Sequence, residues 1–240
     1  MNRGCQSLYD KQGNVVFEGE WDPKAIAATL TSHAADNPFS GKRVLDIGAN
    51  TGGLSLEIAR MGAEVVASEP DPYKNTMARS SDLLLKMAEE ESLKFSVENK
   101  DLFSCHLLGE FDIVLCLGLI YHFRYPQYLL DYLSSLHPKT LFISTQTHPS
   151  SDLALFNRRH PGVLPKDFLK PETILTGWHP TRPLFELMLQ WAGFEDVVSL
   201  TDKDYNCPSK QPGLTNSAYY RARCVNPKDP EVEKAIYYPR

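Results

Sequence analysis

Apolar residues in this chain fall into two rhythms. Short stretches rich in apolar residues at 44–47, 64–68, 93–98, 111–118, 140–145, 194–200 and 216–225 read as strands. Between them, apolar-periodic stretches led by Leu54, Leu56, Ile58 and Ala59 read as helices, as do 129–136 and 182–192, the last stopped by Gly193. Pro70, Asp71 and Pro72 open another helix that runs to about Glu90. The run at 111–118 is apolar enough to be the central strand. Strands alternating with helices predict an α/β, Rossmann-like fold: a seven-stranded, mostly parallel sheet with helices on both faces, the last strand antiparallel. Ahead of it, Tyr9 to Glu20 reads as a small hairpin or an irregular lid. Asp22 then caps a helix with Pro23 at its first position, running through His33.

This pattern divides the chain into an N-terminal lid and helical segment (1–40), a main domain (41–225) and a tail (226–240). The rhythm breaks over 146–181, where five prolines interrupt the pattern. A loop this long inside a compact domain reads as a lid over a substrate.

The stretch 42–71 carries the clearest chemistry. Its first strand ends at Gly48, a small-residue turn follows, and Thr51 is placed to cap the next helix. Gly48 and Gly52 permit a sharp turn and close approach of a ligand, or else serve packing alone. The helix N–H groups over 52–54 are expected to face the crevice at the strand ends. Glu69 ends the second strand, 21 residues beyond Gly48, where a carboxylate accepts hydrogen bonds from both hydroxyls of a ribose. Asn50 stands where a dinucleotide fingerprint has its middle glycine, and the lysine of a phosphate loop is absent.

Asp46-x-Gly48-x-x-x-Gly52 with Glu69 closing the next strand resembles the class I S-adenosylmethionine-dependent methyltransferases. The resemblance implies a loop that wraps the methionine part of the cofactor. It assigns Asp46, Gly48, Asn50, Gly52, Glu69, Pro70, Asp101, Leu102, Leu117 and Gly118 to the cofactor site, with Asp101 at the adenine amino group. A second signature is Gly118-Leu119-Ile120-Tyr121-His122 with Arg124 and Pro126. It is joined by Trp178-His179-Pro180-Thr181, leading to Trp191-Ala192-Gly193-Phe194. Together these are similar to the tRNA wobble-uridine methyltransferase-like family, over about residues 42–225. Its best-known members transfer a carboxymethyl group from a carboxylated cofactor. The chain departs from them in lacking a long N-terminal region and in being acidic. S-adenosylmethionine is therefore the expected cofactor, with the carboxylated analogue second.

Charge narrows the partners. A net charge of −5 and a pI near 5.8 give no overall basic footprint for nucleic acid. The expected substrate is a small polar metabolite methylated at oxygen or nitrogen. Alternatives are tRNA modification and a non-catalytic nucleoside-binding subunit. No apolar run is long enough to span a membrane, and no signal-peptide core is present. Five cysteines without Cys-x-x-Cys spacing suit reduced thiols in the cytoplasm and argue against zinc. The absence of clustered carboxylates after the fourth strand argues against any metal. The sequence carries no signal for oligomeric state.

Methyl transfer needs a base only where the acceptor must lose a proton. His122 and Tyr121 are the catalytic candidates, Tyr121 fitting a pocket wall better than a base. Trp21, Arg124, His148, Arg158, Trp178 and His179 are the candidates for holding the acceptor. Trp21 would cover the cofactor pocket or staple the first helix, and Arg158 suits a carboxylate or phosphate bound in a fork.

Overall fold

The computed structural model describes residues 2–69, 77–157, 178–201 and 217–229. The chain opens with four short strands, β1 (Asn2–Gln6), β2 (Leu8–Tyr9), β3 (Val15–Phe17) and β4 (Gly19–Trp21). β2 and β3 form an antiparallel hairpin, while β1 runs parallel to β4 with Gln6 opposite Trp21. Helix α1 (Pro23–Thr31) follows, and the Asp22 carboxylate caps it by accepting from Lys24 N. It stops two residues short of the expected His33, with its end closed by the Ser32 N–H on the Thr29 carbonyl.

Strand β5 (Arg43–Ile47), α2 (Gly53–Arg60), β6 (Glu64–Ser68), α3 (Met77–Glu90) and β7 (Phe95–Glu98) form the expected alternation. A 3₁₀ turn (Leu102–Leu108) leads to β8 (Ile113–Leu117), and a second (Ile120–His122) leads to α4 (Pro126–Ser135). Then come β9 (Thr140–Gln146), β10 (Leu155–Asn157), β11 (Trp178–Pro180), α5 (Arg182–Trp191), β12 (Phe194–Ser199) and β13 (Ser217–Cys224).

Seven of these strands make one sheet in the order β12-β13-β9-β8-β5-β6-β7, so the apolar fourth strand of the sequence is the middle one. β5, β6 and β7 run parallel. The last strand is antiparallel, as its place in the chain suggested, and lies between β9 and β12. The break in rhythm after β9 holds an antiparallel pair, β10 with β11.

The described residues fall into two compact units, one ending at Leu115 and one beginning at Cys116. In the first, Leu8, Leu56, Leu84, Met87 and Ala88 form a buried cluster, with Phe17, Leu83, Leu93 and Phe95 packed against it. The N-terminal hairpin thus shares its core with α2 and α3 through Leu8 and Phe17. In the second, Phe185 and Tyr220 are fully buried with ring centroids 5.4 Å apart, joining α5 to β13. Burial pushes the Tyr220 phenol well above its ordinary value, with Glu186 adding to the rise and Arg182 opposing it.

Candidate active site

The first unit carries the loop between β5 and α2. At Gly48 the backbone turns left-handed (φ 71°), and the Gly48 and Ala49 N–H groups both donate to the Ser68 carbonyl at 2.8 and 3.1 Å. Asn50 is also left-handed (φ 57°), a conformation asparagine tolerates better than most residues. Its N–H donates to Glu69 Oε2 at 2.9 Å, and its own Oδ1 accepts from Thr51 N at 2.8 Å and Gln6 N at 3.1 Å. Asn50 at the place of a dinucleotide glycine therefore joins β1 and its own turn to the end of β6.

Two expectations for the start of α2 are corrected. The cap is Gly52 (φ 75°), with no side-chain bond to the helix. Thr51 instead donates its hydroxyl to the Gln6 carbonyl at 2.7 Å. The helix N–H groups do not all lie open: Gly52 N is bonded to the Ala49 carbonyl, and Leu54 N donates to Gln6 Oε1 at 2.8 Å. Residue 6 of β1 thus supplies the side-chain cap that Thr51 was expected to give. The glycines here are held by packing as well as by the turn. A Cβ on Gly52 would stand 2.4 Å from Leu84 Cδ1, and one on Gly53 2.2 Å from the Ser7 carbonyl oxygen.

Glu69 has the character a ribose needs. Burial raises its pKa above the ordinary carboxylate range and the Asn50 N–H opposes the rise. One oxygen is held by Asn50, while Oε1 accepts no hydrogen bond among the described residues. A half-buried carboxylate with an open oxygen, beside a glycine-rich turn, fits a nucleoside diol. Asp46 is a different kind of residue. It is fully buried in β5 and accepts from the Ser55 hydroxyl at 2.6 Å, tying α2 to the strand. Asp101 caps the 3₁₀ turn after β7, accepting from Phe103 N at 3.0 Å and from the Ser104 hydroxyl, and Leu102 is buried beside it. Pro70 lies outside the described residues.

The buried carboxyl of Asp46 gives a prediction on stability. Burial pushes it up to about 6, opposed by the Ser55 hydroxyl and reinforced by the Glu69 charge, against 3.8 for an exposed aspartate. Between those values the native chain holds a proton that the unfolded chain has released. Stability attributable to Asp46 therefore falls as pH rises from about 4 to about 6, by about 3 kcal/mol, and is flat above. Asp46→Asn removes this slope, so its melting temperature gains on the parent across that window; parallel curves for the two proteins would overturn the assignment.

The second unit carries the acceptor candidates. Leu117 ends β8, and Gly118 turns left-handed (φ 72°), its N–H donating to the Ser144 carbonyl and hydroxyl at 3.3 and 3.0 Å. A Cβ on Gly118 would lie 3.3 Å from the Tyr121 hydroxyl, so the phenol folds back over the glycine. The Tyr121 ring lies 4.4 Å from that of His122 and meets the His179 ring edge-on at 6.3 Å. Trp178 Nε1 donates to the Arg124 carbonyl at 3.1 Å, fastening β11 to the turn after β8. The Arg124 side chain itself is exposed. His148 N–H donates to the Pro180 carbonyl, and its ring stacks on Phe156 at 3.6 Å. Its Nδ1 accepts from Ser150 N at 3.3 Å, which assigns the ring proton to Nε2 and makes it a donor. Tyr121, His122, Arg124, His148, Trp178 and His179 are thus gathered around one short strand pair. Trp21 sits in the first unit, opposite Gln6 in the β1–β4 pair. Arg158 lies outside the described residues. Among the described residues no group of three His, Cys, Asp or Glu side chains is placed to hold a metal.

Sequence reasoning missed Gln6, Ser55, Ser144 and Phe156. Ser55 had a local signal, one helical turn into α2, and Phe156 lies close in sequence to His148; Gln6 and Ser144 act across long stretches of chain.

Comparison with known proteins agrees with this geometry. Residues 19–200 match the family described as Methyltransferase domain. A ubiquinone biosynthesis O-methyltransferase of Xanthomonas campestris pv. campestris is 32% identical over 168 residues, 65% of this chain and 67% of that protein. A tRNA U34 carboxymethyltransferase of Syntrophotalea carbinolica is 27% identical over 76% of this chain, which spans only 53% of that protein's length. Among solved structures, the N-terminal domain of EvdMO1 in the presence of SAH and D-fucose superposes with a TM-score of 0.63 at 21% identity, over 92% of each chain. The 1,6-didemethyltoxoflavin-N1-methyltransferase of Burkholderia thailandensis, with bound S-adenosylhomocysteine, gives 0.57 at 19% identity, over 85% of this chain and 78% of that one. A glycine turn, an open carboxylate at the second strand end and a match covering most of the chain lead to one conclusion: this protein belongs to the methyltransferase domain family and is an S-adenosylmethionine-dependent methyltransferase.

Proposed function

We propose that this enzyme methylates an oxygen or nitrogen of a small polar metabolite, in the cytoplasm. The observation that carries the substrate class is the aromatic and imidazole cluster of Tyr121, His122 and His179, bound in by the Trp178 to Arg124 hydrogen bond. Such a cluster suits a compact, partly apolar acceptor. The acidic balance of the chain and the names of its relatives, which include ubiquinone and toxoflavin methyltransferases, support the same reading. The tRNA reading rests on the Syntrophotalea relative and stands second. Five cysteines without Cys-x-x-Cys spacing support the compartment.

S-adenosylmethionine supplies a methyl group on a sulfonium, already activated for in-line attack. What this chain adds is placement and exclusion of water, which together are worth several orders of magnitude in rate. Glu69 would hold the ribose, and the loop over 48–52 would shelter the amino-acid half. Asp101 and Leu102 would border the adenine; Leu117 and Gly118, at the end of β8, complete the set of residues assigned to the cofactor. Tyr121 would wall the acceptor, His148 would donate from Nε2 to a substituent on it, and Trp178 and His179 would cover it. His122 takes the proton of a hydroxyl acceptor.

The test is release of S-adenosylhomocysteine from purified enzyme offered phenols, catechols, hydroxy acids and heterocyclic amines. Turnover with one of these classes is expected; turnover with bulk tRNA alone would transfer the assignment to the second reading. With a hydroxyl acceptor in hand, His122→Ala should lower kcat about 100-fold while affinity for S-adenosylhomocysteine is unchanged. An unaltered kcat would remove His122 from the mechanism.

A further inference from the structure

Gln6 reaches the cofactor loop from the start of the chain. Its backbone N–H donates to Asn50 Oδ1, its carbonyl accepts from the Thr51 hydroxyl, and its side-chain oxygen accepts from Leu54 N. The third bond fixes which end of the carboxamide is which, because Leu54 N is a donor and only the amide oxygen can accept from it. The amide nitrogen is left with two N–H donors that bond nothing among the described residues. Gln6 is half-buried, and it lies against the same turn that holds Glu69 through Asn50. Gly53 makes the approach feasible: a Cβ there would stand 3.3 Å from the Gln6 side chain and 2.2 Å from the Ser7 carbonyl.

We propose that Gln6 is a cofactor-binding residue, its oxygen anchored on the helix start and its Nε2 group donating to the carboxylate of the amino-acid half of S-adenosylmethionine. The proposal rests on the assignment of the loop over 48–52 to that half of the cofactor. An anchored amide is a fitting partner for a carboxylate here. It satisfies Leu54 N, a helix-terminal donor that would otherwise be open, and offers fresh donors in its place. It also gives the N-terminal strand a role in the site, since β1 presents Gln6 and its neighbour β4 presents Trp21 directly opposite.

The experiment is calorimetric titration of two ligands that differ by that carboxylate. S-adenosylhomocysteine carries the amino-acid group, and 5′-methylthioadenosine keeps the nucleoside thioether without it. Gln6→Ala should weaken S-adenosylhomocysteine about tenfold and leave 5′-methylthioadenosine unchanged. Gln6→Glu keeps an oxygen for Leu54 N but replaces the amide donors with negative charge. It should weaken S-adenosylhomocysteine further, by about 100-fold, again sparing 5′-methylthioadenosine. A merely structural Gln6 gives other results: both ligands weaken together, or glutamate restores what alanine loses. Either result overturns the proposal, as does wild-type affinity in Gln6→Ala. If the unmodified protein discriminates between neither ligand, the loop assignment itself fails along with it. Melting curves of each variant without ligand separate lost folding from lost binding.

Discussion

Glu69→Ala should lower affinity for S-adenosylhomocysteine about 1000-fold while leaving the melting temperature of the free protein unchanged or slightly raised. The first part follows from counting bonds. A ribose diol gives the carboxylate two charge-assisted hydrogen bonds, each worth about 1.5–3 kcal/mol when desolvated, so losing both costs roughly 3–6 kcal/mol. The second part follows from the cost of keeping that carboxylate in place without a ligand. Burial raises its pKa, only one oxygen is bonded, and the N–H it holds belongs to Asn50, whose left-handed turn is also secured through Asn50 Oδ1. Residues kept for a ligand at the expense of the empty protein show this signature. Glu69→Gln should fall between, since an amide accepts at one atom only and presents an N–H to the second hydroxyl. Calorimetry and thermal melts on the three proteins decide it. Retained affinity in the alanine variant would place the ribose elsewhere, whatever the melts show.

Local chemistry is what the sequence made legible. Strand ends at Gly48 and Glu69, the Asp22-Pro23 helix start and the stop at Gly193 all depend on residues within a few positions of one another, and each stands where expected. The middle position of 111–118 was readable because a strand covered on both faces has no polar alternation. The errors have a common cause. Thr51 has the composition of an N-cap, but its hydroxyl is taken by a carbonyl 45 residues away, and the helix is capped from 48 residues away. A one-dimensional pattern records that a donor or acceptor exists, and tertiary contacts decide which of several partners it takes. The stretch 146–181, of which 158–177 lie outside the described residues, shows the same limit: its prolines announced a break in the rhythm, while the pairing of Leu155–Asn157 with Trp178–Pro180 lies outside any local window.

Gly53→Ala should destabilise the protein by about 3 kcal/mol, a fall of roughly 10 °C in melting temperature for a chain of this size. Helix propensity alone argues for the opposite sign, because alanine is favoured over glycine within a helix by up to about 1 kcal/mol. The reversal comes from the Ser7 carbonyl, only 2.2 Å from where the new methyl would stand. That oxygen is backbone, in a segment pinned on both sides: Ser7 N donates to the Trp21 carbonyl, and the Ser7 hydroxyl donates to the Gly19 carbonyl while accepting from Gly19 N. Relief requires the whole β1–β4 pair to lift from α2, which also withdraws Gln6 from Leu54. Gly52→Ala makes the comparison. Its Cβ would meet Leu84 Cδ1 at 2.4 Å, the far end of a side chain that can rotate, although its left-handed backbone adds a cost of about 1 kcal/mol. The two variants therefore separate stability from binding. Gly53→Ala should lose melting temperature and, where still folded, show the weakened S-adenosylhomocysteine binding of Gln6→Ala. Gly52→Ala should melt closer to the parent. If Gly53→Ala melts with the parent and binds as well, the N-terminal strand does not close on the helix start, and the clasp on the cofactor loop is lost from the argument with it.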